Sequence, residues 1–287
     1  MPRTIAAGFS TLKSNLEITG LQKITVSNRQ GNVRDAVADG FEIHESFLAG
    51  SYARSTMISP LKESDVDIFV LLDAKYYNQY TPASLLDRLR TILKRTYPTT
   101  PRISRNGQAV TITFTDFKVD VVPAFYMKGG GYLIPDSIDG EWIATAPTFH
   151  HSNLTDSNKW HNGDLIPVIK MMKGWNRCIN DSFYGFYLEL LTKKVLTNIT
   201  ISDYPSAVRY VLDKGREAVK YKIADPAGYG DQVGGMKGVS TVKDAVSRFE
   251  MAYSRAVKAE KYAANGNIEL AYTEWRKIFP NYFPAYR

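Results

Sequence analysis

The chain has 287 residues, 44% hydrophobic and 23% charged, the proportions of an ordinary globular protein, which exclude a disordered or coiled-coil chain and predict one large domain or two lobes. No apolar run approaches the ~18 residues of a membrane span, the start from Met1 to Asn15 holds no secretion-signal core, and Cys178 is the single cysteine, so an internal disulfide or a multi-thiolate zinc site is excluded and a cytoplasmic location is expected. Lys plus Arg number 36 against 29 Asp plus Glu, a net charge of +7 that serves either solubility or a polyanionic partner such as a nucleoside triphosphate or nucleic acid.

Residues 1–40 carry apolar side chains at helical spacing (Ile5, Phe9, Leu12, Leu16, then Val33, Ala36, Val37) and close at Gly40. Alternation or β-branched enrichment predicts strands over 42–48, 66–72, 109–115 and 117–122. Between them, residues 82–97 put Leu85, Leu86, Leu89, Ile92 and Leu93 on one face of a helix, with Pro82 in its first turn. Residues 128–147, which include Gly129-Gly130-Gly131, read as a loop or irregular hairpin. From about His150 the pattern is helical, with helices predicted over 165–176, 183–196, 206–222, 241–264 and 268–279. Strands first and helices after predict an α+β core over 1–149 and a helical lobe over 150–287. The glycines from Gly228 to Gly238 form no dinucleotide fingerprint, since no strand precedes them, and a mobile loop is expected there. His44, His150, His151 and His161 lack metal-ligand spacing, so no metal or catalytic role is expected of them.

The most informative stretch is Gly50-Ser51-Tyr52-Ala53-Arg54 followed by Ser64-Asp65-Val66-Asp67-Ile68-Phe69-Val70. In a strand, Asp65 and Asp67 share one face while Val66, Ile68 and Val70 share the other. Two carboxylates so placed repel, and at neutral pH bound Mg²⁺ relieves them while keeping waters for a phosphate. A third acid, Asp120, interrupts the apolar run around Val119, Val121 and Val122. A buried carboxylate needs a partner. If its strand lies beside the first, three acids can hold two ions about 3.5–4 Å apart, one activating a hydroxyl and one stabilising a leaving pyrophosphate. The bland alternative is a solvated strand edge with Asp120 paired to a lysine. Gly50 lets the backbone approach a phosphate, the amides opening a following helix donate to an anion, and Ser51 adds a hydroxyl without bulk.

Gly-Ser, then Asp-x-Asp, then a third Asp on a later strand resembles the polymerase-β-type nucleotidyltransferase superfamily. Residues 47–54 and 64–70 are more closely similar to the bacterial cGAS/DncV-like nucleotidyltransferases (CD-NTases). Gln30 to Val37, residues 165–176 and Ile223-Ala224-Asp225-Pro226 resemble that family's N-terminal helix, lysine-bearing helix and late Asp-Pro turn. The resemblance implies a mixed sheet with flanking helices and a helical lobe that closes a nucleotide cleft. It implies synthesis of cyclic di- or oligonucleotide messengers from nucleoside triphosphates, ATP among them, in anti-phage defence. Asp65, Asp67 and Asp120 would bind two Mg²⁺ ions, or Mn²⁺ in their place, with Asp120 assisting deprotonation of the attacking hydroxyl. Gly50 and Ser51 would hold the β- and γ-phosphates, and Lys173 the triphosphate, with Lys170 one turn earlier on the same helix face. Tyr184 or Phe186 would stack on a base.

An activator, nucleic acid or protein, is a candidate partner, and a downstream effector would bind the product. Ser55 stands where glycine or another small residue is expected, and Ala285-Tyr286-Arg287 is unlike the small-residue tails of members conjugated by ancillary enzymes. One cysteine cannot build the zinc-bound insert of the vertebrate DNA-sensing relative. Two rival functions share parts of this reading: a template-independent RNA or tRNA nucleotidyltransferase, which needs a dense basic track that the chain lacks, and a non-catalytic nucleotide- or RNA-binding sensor.

Overall fold

The computed structural model describes residues 4–230 and 232–286. The chain divides into two compact units. The first comprises Ile18–Leu154 and a short piece that begins at Asp225; the second comprises the N-terminal helix up to Glu17, Thr155–Ala224 and the chain from Gln232 onward.

The first unit is built on a mixed sheet of β1 (Ile43–Leu48), β2 (Asp65–Leu72), β3 (Arg102–Asn106), β4 (Ala109–Thr113), β5 (Lys118–Tyr126), β6 (Tyr132–Asp136) and β7 (Glu141–Thr145). The order is β1-β2-β5-β4-β3, with β6 beside β5 and β7 beside β6. Only β2 and β5 run parallel. Parallel neighbours need a crossover, and here it carries α4 (Lys75–Gln79), α5 (Pro82–Thr96) and the β3–β4 hairpin. Thr81 caps α5 reciprocally with Ser84, and Pro82 occupies the position where no amide partner is needed. Thr19 and Gln22 cap α2 (Gly20–Ala38) in the same way.

Val26, Val33 and Val37 of α2 and Leu85, Leu86, Leu89 and Leu93 of α5 bury against Val66, Ile68, Val70, Val119 and Val121 of the central strands. Apolar periods of 3.6 in the helices and 2 in the strands thus meet in one core. The opposite sheet face carries Phe69, Leu71, Val122 and Ala124 beyond the acidic ends of β2 and β5. The 128–147 segment is a regular β6–β7 hairpin, Tyr132 pairing with Thr145 and Asp136 with Glu141. β3 pairs with β4 through a two-residue turn at Gly107 and Gln108, and Gly107 has a φ of +57° that glycine adopts without steric cost.

In the second unit, α1 (Ile5–Leu16), α7 (Leu165–Cys178), α8 (Gly185–Leu196), α9 (Tyr204–Ala218), α10 (Val242–Ala264) and α11 (Ile268–Ile278) bury an aromatic core. Phe9 sets its ring edge against Trp275 at 4.7 Å, and Phe249 does the same to Trp175 at 4.7 Å. Phe9, Leu12 and Leu16 bind α1 into this helical unit. The polar helix α6 (Pro147–Trp160) buries only Pro147 and Leu154. The glycine-rich stretch after Asp225 is anchored within each unit. Ile223 bridges Val233 and Phe183 bridges Met236 in one, and the Tyr229 hydroxyl donates to the Gly130 carbonyl at 3.1 Å in the other. Among the described residues no helix is long and apolar enough to cross a membrane.

Candidate active site

In the parallel β2–β5 pair, Asp65 lies opposite Lys118 and Asp67 opposite Asp120. Opposite residues of neighbouring strands share a face, as do alternate residues of one strand. Asp65, Asp67 and Asp120 therefore stand on one face, while Val66, Ile68, Val119 and Val121 point into the core. The apolar alternation fixes this arrangement, because a one-residue slip of either strand would bury carboxylates and expose valines.

β4 places Thr111 opposite Asp120, and the Thr111 hydroxyl donates to Asp120 Oδ1 at 2.5 Å. Burial raises the Asp120 carboxyl above its ordinary range; the Thr111 hydrogen bond opposes that rise, the Asp65 charge adds to it, and Lys118 opposes it. Lys118 Nζ is 3.8 Å from Asp65 Oδ1, too long and too exposed to neutralise the group.

β1 delivers Gly50 to the same place, with the Ala49 amide donating to the Asp67 carbonyl at 2.9 Å. Gly50 has a φ of +58°, and a Cβ built on it would lie 1.7 Å from Asp67 Oδ2. Only glycine fits. It opens α3 (Gly50–Ala53), a helix too short for much macrodipole. The expected anion contact therefore rests on the Gly50 backbone and the Ser51 hydroxyl, not on a helix field. The Ser51 carbonyl accepts the Thr56 and Met57 amides at 2.9 and 3.0 Å, fixing the following loop. Within that loop Ser55 has a φ of +59°, a left-handed conformation that accounts for the glycine expected there.

The donors are all carboxylate oxygens, the set a hard divalent cation takes. Among the described residues no group of three or more His, Cys, Asp or Glu side chains is placed to hold a metal ion. Carboxylate oxygens are the donor type Mg²⁺ takes, and it fills the rest of its shell with waters and substrate phosphates, so it needs few protein ligands.

The predicted lysines and aromatics belong to the helical unit. Lys173 Nζ is 3.1 Å from Glu189 Oε1, and both side chains are largely buried. The end of the Lys173 side chain lies beside Gly185, at the start of α8. Tyr184 is the N-cap of that helix and half exposed, whereas Phe186 is partly buried on its first turn. Lys173 and Tyr184 thus lie close together. Lys170 does not join them: its side chain is 7% exposed and its Nζ is 2.7 Å from Glu17 Oε2. Of the histidines, His150 Nε2 is 2.6 Å from Asp225 Oδ1 in the Asp-Pro turn. Sequence reasoning missed Thr111, Glu189 and this His150–Asp225 pair. Each is a partner chosen by tertiary register, and no local pattern announces it.

Residues 4–158, more than half of the chain, match the model of the second messenger oligonucleotide or dinucleotide synthetase (SMODS) domain. A curated relative from an Acinetobacter species, cyclic AMP-AMP-AMP synthase, is 29% identical over 96% of this chain and 84% of its own. Among solved structures, E. coli MS115-1 CdnC in complex with HORMA-deltaN superposes with a TM-score of 0.74 at 19% identity, covering 98% of each chain. The same protein with ATP gives 0.71 at 19% identity, over 98% of this chain and 99% of its own. These structures share the mixed-sheet nucleotidyltransferase fold, and the family is generally metal-dependent. The chain is a nucleotidyltransferase and belongs to the second messenger oligonucleotide or dinucleotide synthetase family.

Proposed function

We propose that this protein condenses nucleoside triphosphates, ATP among them, into a cyclic di- or oligonucleotide messenger of anti-phage defence, with release of pyrophosphate at each bond. The observation that carries the reading is the register of Asp67 against Asp120, with Asp65 on the same face and Gly50 against Asp67. The cyclic AMP-AMP-AMP synthase relative and the ATP-bound CdnC structure support ATP as a substrate.

In this proposal Asp65, Asp67 and Asp120 hold two Mg²⁺ ions, for which Mn²⁺ can substitute. When bound, these ions activate the acceptor hydroxyl and neutralise charge on the leaving pyrophosphate. Asp120, set opposite Asp67, assists deprotonation of the acceptor hydroxyl. Gly50 lets the donor's phosphates approach the backbone, and the Ser51 hydroxyl donates to a non-bridging oxygen. In-line attack on the α-phosphorus then forms the phosphodiester bond and breaks the bond to pyrophosphate. A second round on the linear intermediate closes the ring.

Lys173 contributes its ammonium to the triphosphate and Tyr184 stacks on a base. Lys170, held by Glu17, contributes by fixing α1 on α7. We further propose that residues 1–149 supply the catalytic machinery and 150–287 the lysine and aromatic contacts. The HORMA complex of CdnC makes a protein activator the first partner to test, and the effector would bind the product. The family match does not favour the RNA-extending or silent-binder readings.

Purified protein incubated with α-³²P-labelled ATP, GTP, CTP and UTP and Mg²⁺ or Mn²⁺ is expected to give phosphatase-resistant products whose masses equal a whole number of nucleoside monophosphates less one water for each. Products should vanish in Asp67→Asn. Unconverted nucleotides with either metal, with and without a HORMA-type partner, would overturn the proposal, and extension of a labelled RNA primer would favour the RNA-extending rival.

A further inference from the structure

We infer that Thr111 is a positioning residue for the metal site: its hydroxyl locks one oxygen of Asp120 and thereby presents the other to the divalent cation. The inference rests on the proposed metal-dependent chemistry and extends it to a residue outside the acidic motif.

Asp120 sits between two strands that do different things for it. On one side β2 sets Asp67 directly opposite. On the other, β4 sets Thr111 directly opposite, and the 2.5 Å hydrogen bond to Oδ1 has the length of a charge-assisted one. Among the described residues this is the one hydrogen bond made by the Asp120 side chain. Its effect on the carboxylate is geometric. A carboxylate on a strand turns about two bonds, and Thr111 removes that freedom by tying Oδ1.

The donor is well suited to the task. Threonine is branched at Cβ and stiff at its first torsion, and a strand restricts it further. Thr111 is 8% exposed, between the fully buried Val110 and Ile112. Its hydroxyl would be an uncompensated polar group in that setting without the Asp120 contact. A valine has the same shape but could not donate on the face that Thr111 shares with Asp120. Hydroxyl chemistry at this position is therefore explained by the carboxylate it orients, and partners that orient metal ligands typically change affinity or rate 10–100-fold when removed.

Mn²⁺ titrated into the protein, with free Mn²⁺ followed by electron paramagnetic resonance, reads binding without turnover. Thr111→Val is expected to weaken Mn²⁺ binding about tenfold or more and to lower kcat with little change in KM for ATP, while Thr111→Ser retains both values within about threefold. If the valine variant fails to fold, the same comparison is made between Thr111→Ser and Thr111→Ala, since only serine keeps the donor. Wild-type-like Mn²⁺ affinity in a folded valine or alanine variant overturns the inference while leaving the proposed function intact. A wild-type protein that binds no Mn²⁺ and makes no product overturns both, so the two failures are distinguishable.

Discussion

A Cβ on Gly50 would fall 1.7 Å from Asp67 Oδ2, well inside any permitted contact. The backbone proposed to approach the phosphates and the carboxylate proposed to hold metal are therefore in direct steric contact. Gly50→Ala also meets the left-handed backbone, which costs an L-residue about 1–2 kcal/mol. Asp67 must then leave its rotamer. The expected result is a folded protein whose kcat/KM for ATP falls at least ~100-fold and whose melting temperature no longer responds to Mn²⁺, measured by single-turnover kinetics and thermal shift.

Asp120 gives the protein a pH signature. Burial, aided by Asp65, raises its folded-state proton affinity above that of the unfolded chain. Between the unfolded and folded values the native state binds more protons than the unfolded one, so stability declines as pH rises through that window. The cost is present in metal-free protein at any pH above the folded value. Asp120→Asn keeps an acceptor for Thr111 and removes the charge. Without metal the variant should melt higher than wild type at pH 7, and the gap should close below the ordinary carboxylate range of about 3.9. With Mg²⁺ and a non-hydrolysable ATP analogue the order should reverse. Activity should drop by roughly 10²–10⁴-fold.

These relationships were unequally visible in the amino-acid string. The alternation of Val66, Ile68 and Val70 against Asp65 and Asp67 is local, and it predicted both the strand and the acidic face that the sheet displays. The 82–97 helix was equally plain from its apolar spacing and from Pro82 in its first turn. β3 was not visible, because it is a sheet-edge strand of Arg102-Ile103-Ser104-Arg105-Asn106 that buries only Ile103. Helix α6 was missed for a related reason: with only Pro147 and Leu154 buried it has no apolar stripe to detect. Thr111 with Asp120 and Lys173 with Glu189 were hidden more deeply. A threonine in a strand and a glutamate in a helix are unremarkable until register and helix packing choose their neighbours.

Ser55 lies four residues beyond Ser51 at a φ of +59°. A left-handed serine is strained by about 1–2 kcal/mol, whereas glycine there is relaxed but loses more backbone entropy on folding, about 0.5–1 kcal/mol. Ser55→Gly should therefore stabilise the protein by up to about 1 kcal/mol. Urea unfolding checks this, and ATP turnover should be retained, because the Ser51 carbonyl still holds the Thr56 and Met57 amides.

The His150–Asp225 pair should act oppositely to Asp120. Burial pushes the Asp225 carboxyl up, but the Ala227 amide, His150 and the Gly230 amide together outweigh it and hold it below the usual range. A lowered carboxyl contributes stability that is present above the unfolded value and is lost as pH falls through the folded one. Asp225→Asn should cost about 1.5–3 kcal/mol at pH 7, the range for hydrogen bonds to a charged group. The difference from wild type should shrink in urea titrations as pH falls through the lowered folded value, below the ordinary carboxylate range.

Lys173 faces two demands, since the triphosphate role assigned to it must coexist with its contact to Glu189. Removing one member of a buried ion pair strands the other, at a cost of about 3–5 kcal/mol. Lys173→Met alone would thus lower both stability and activity, and either role could explain the loss. Lys173→Met combined with Glu189→Leu separates them. Replacing both charges with apolar groups should restore much of the stability, because the desolvation cost disappears with the pair. If Lys173 also binds the triphosphate, the stable double variant should still show a KM for ATP raised about tenfold or more in steady-state assays. Recovery of wild-type KM along with stability would make the lysine purely structural and leave the triphosphate to Ser51 and the metal ions.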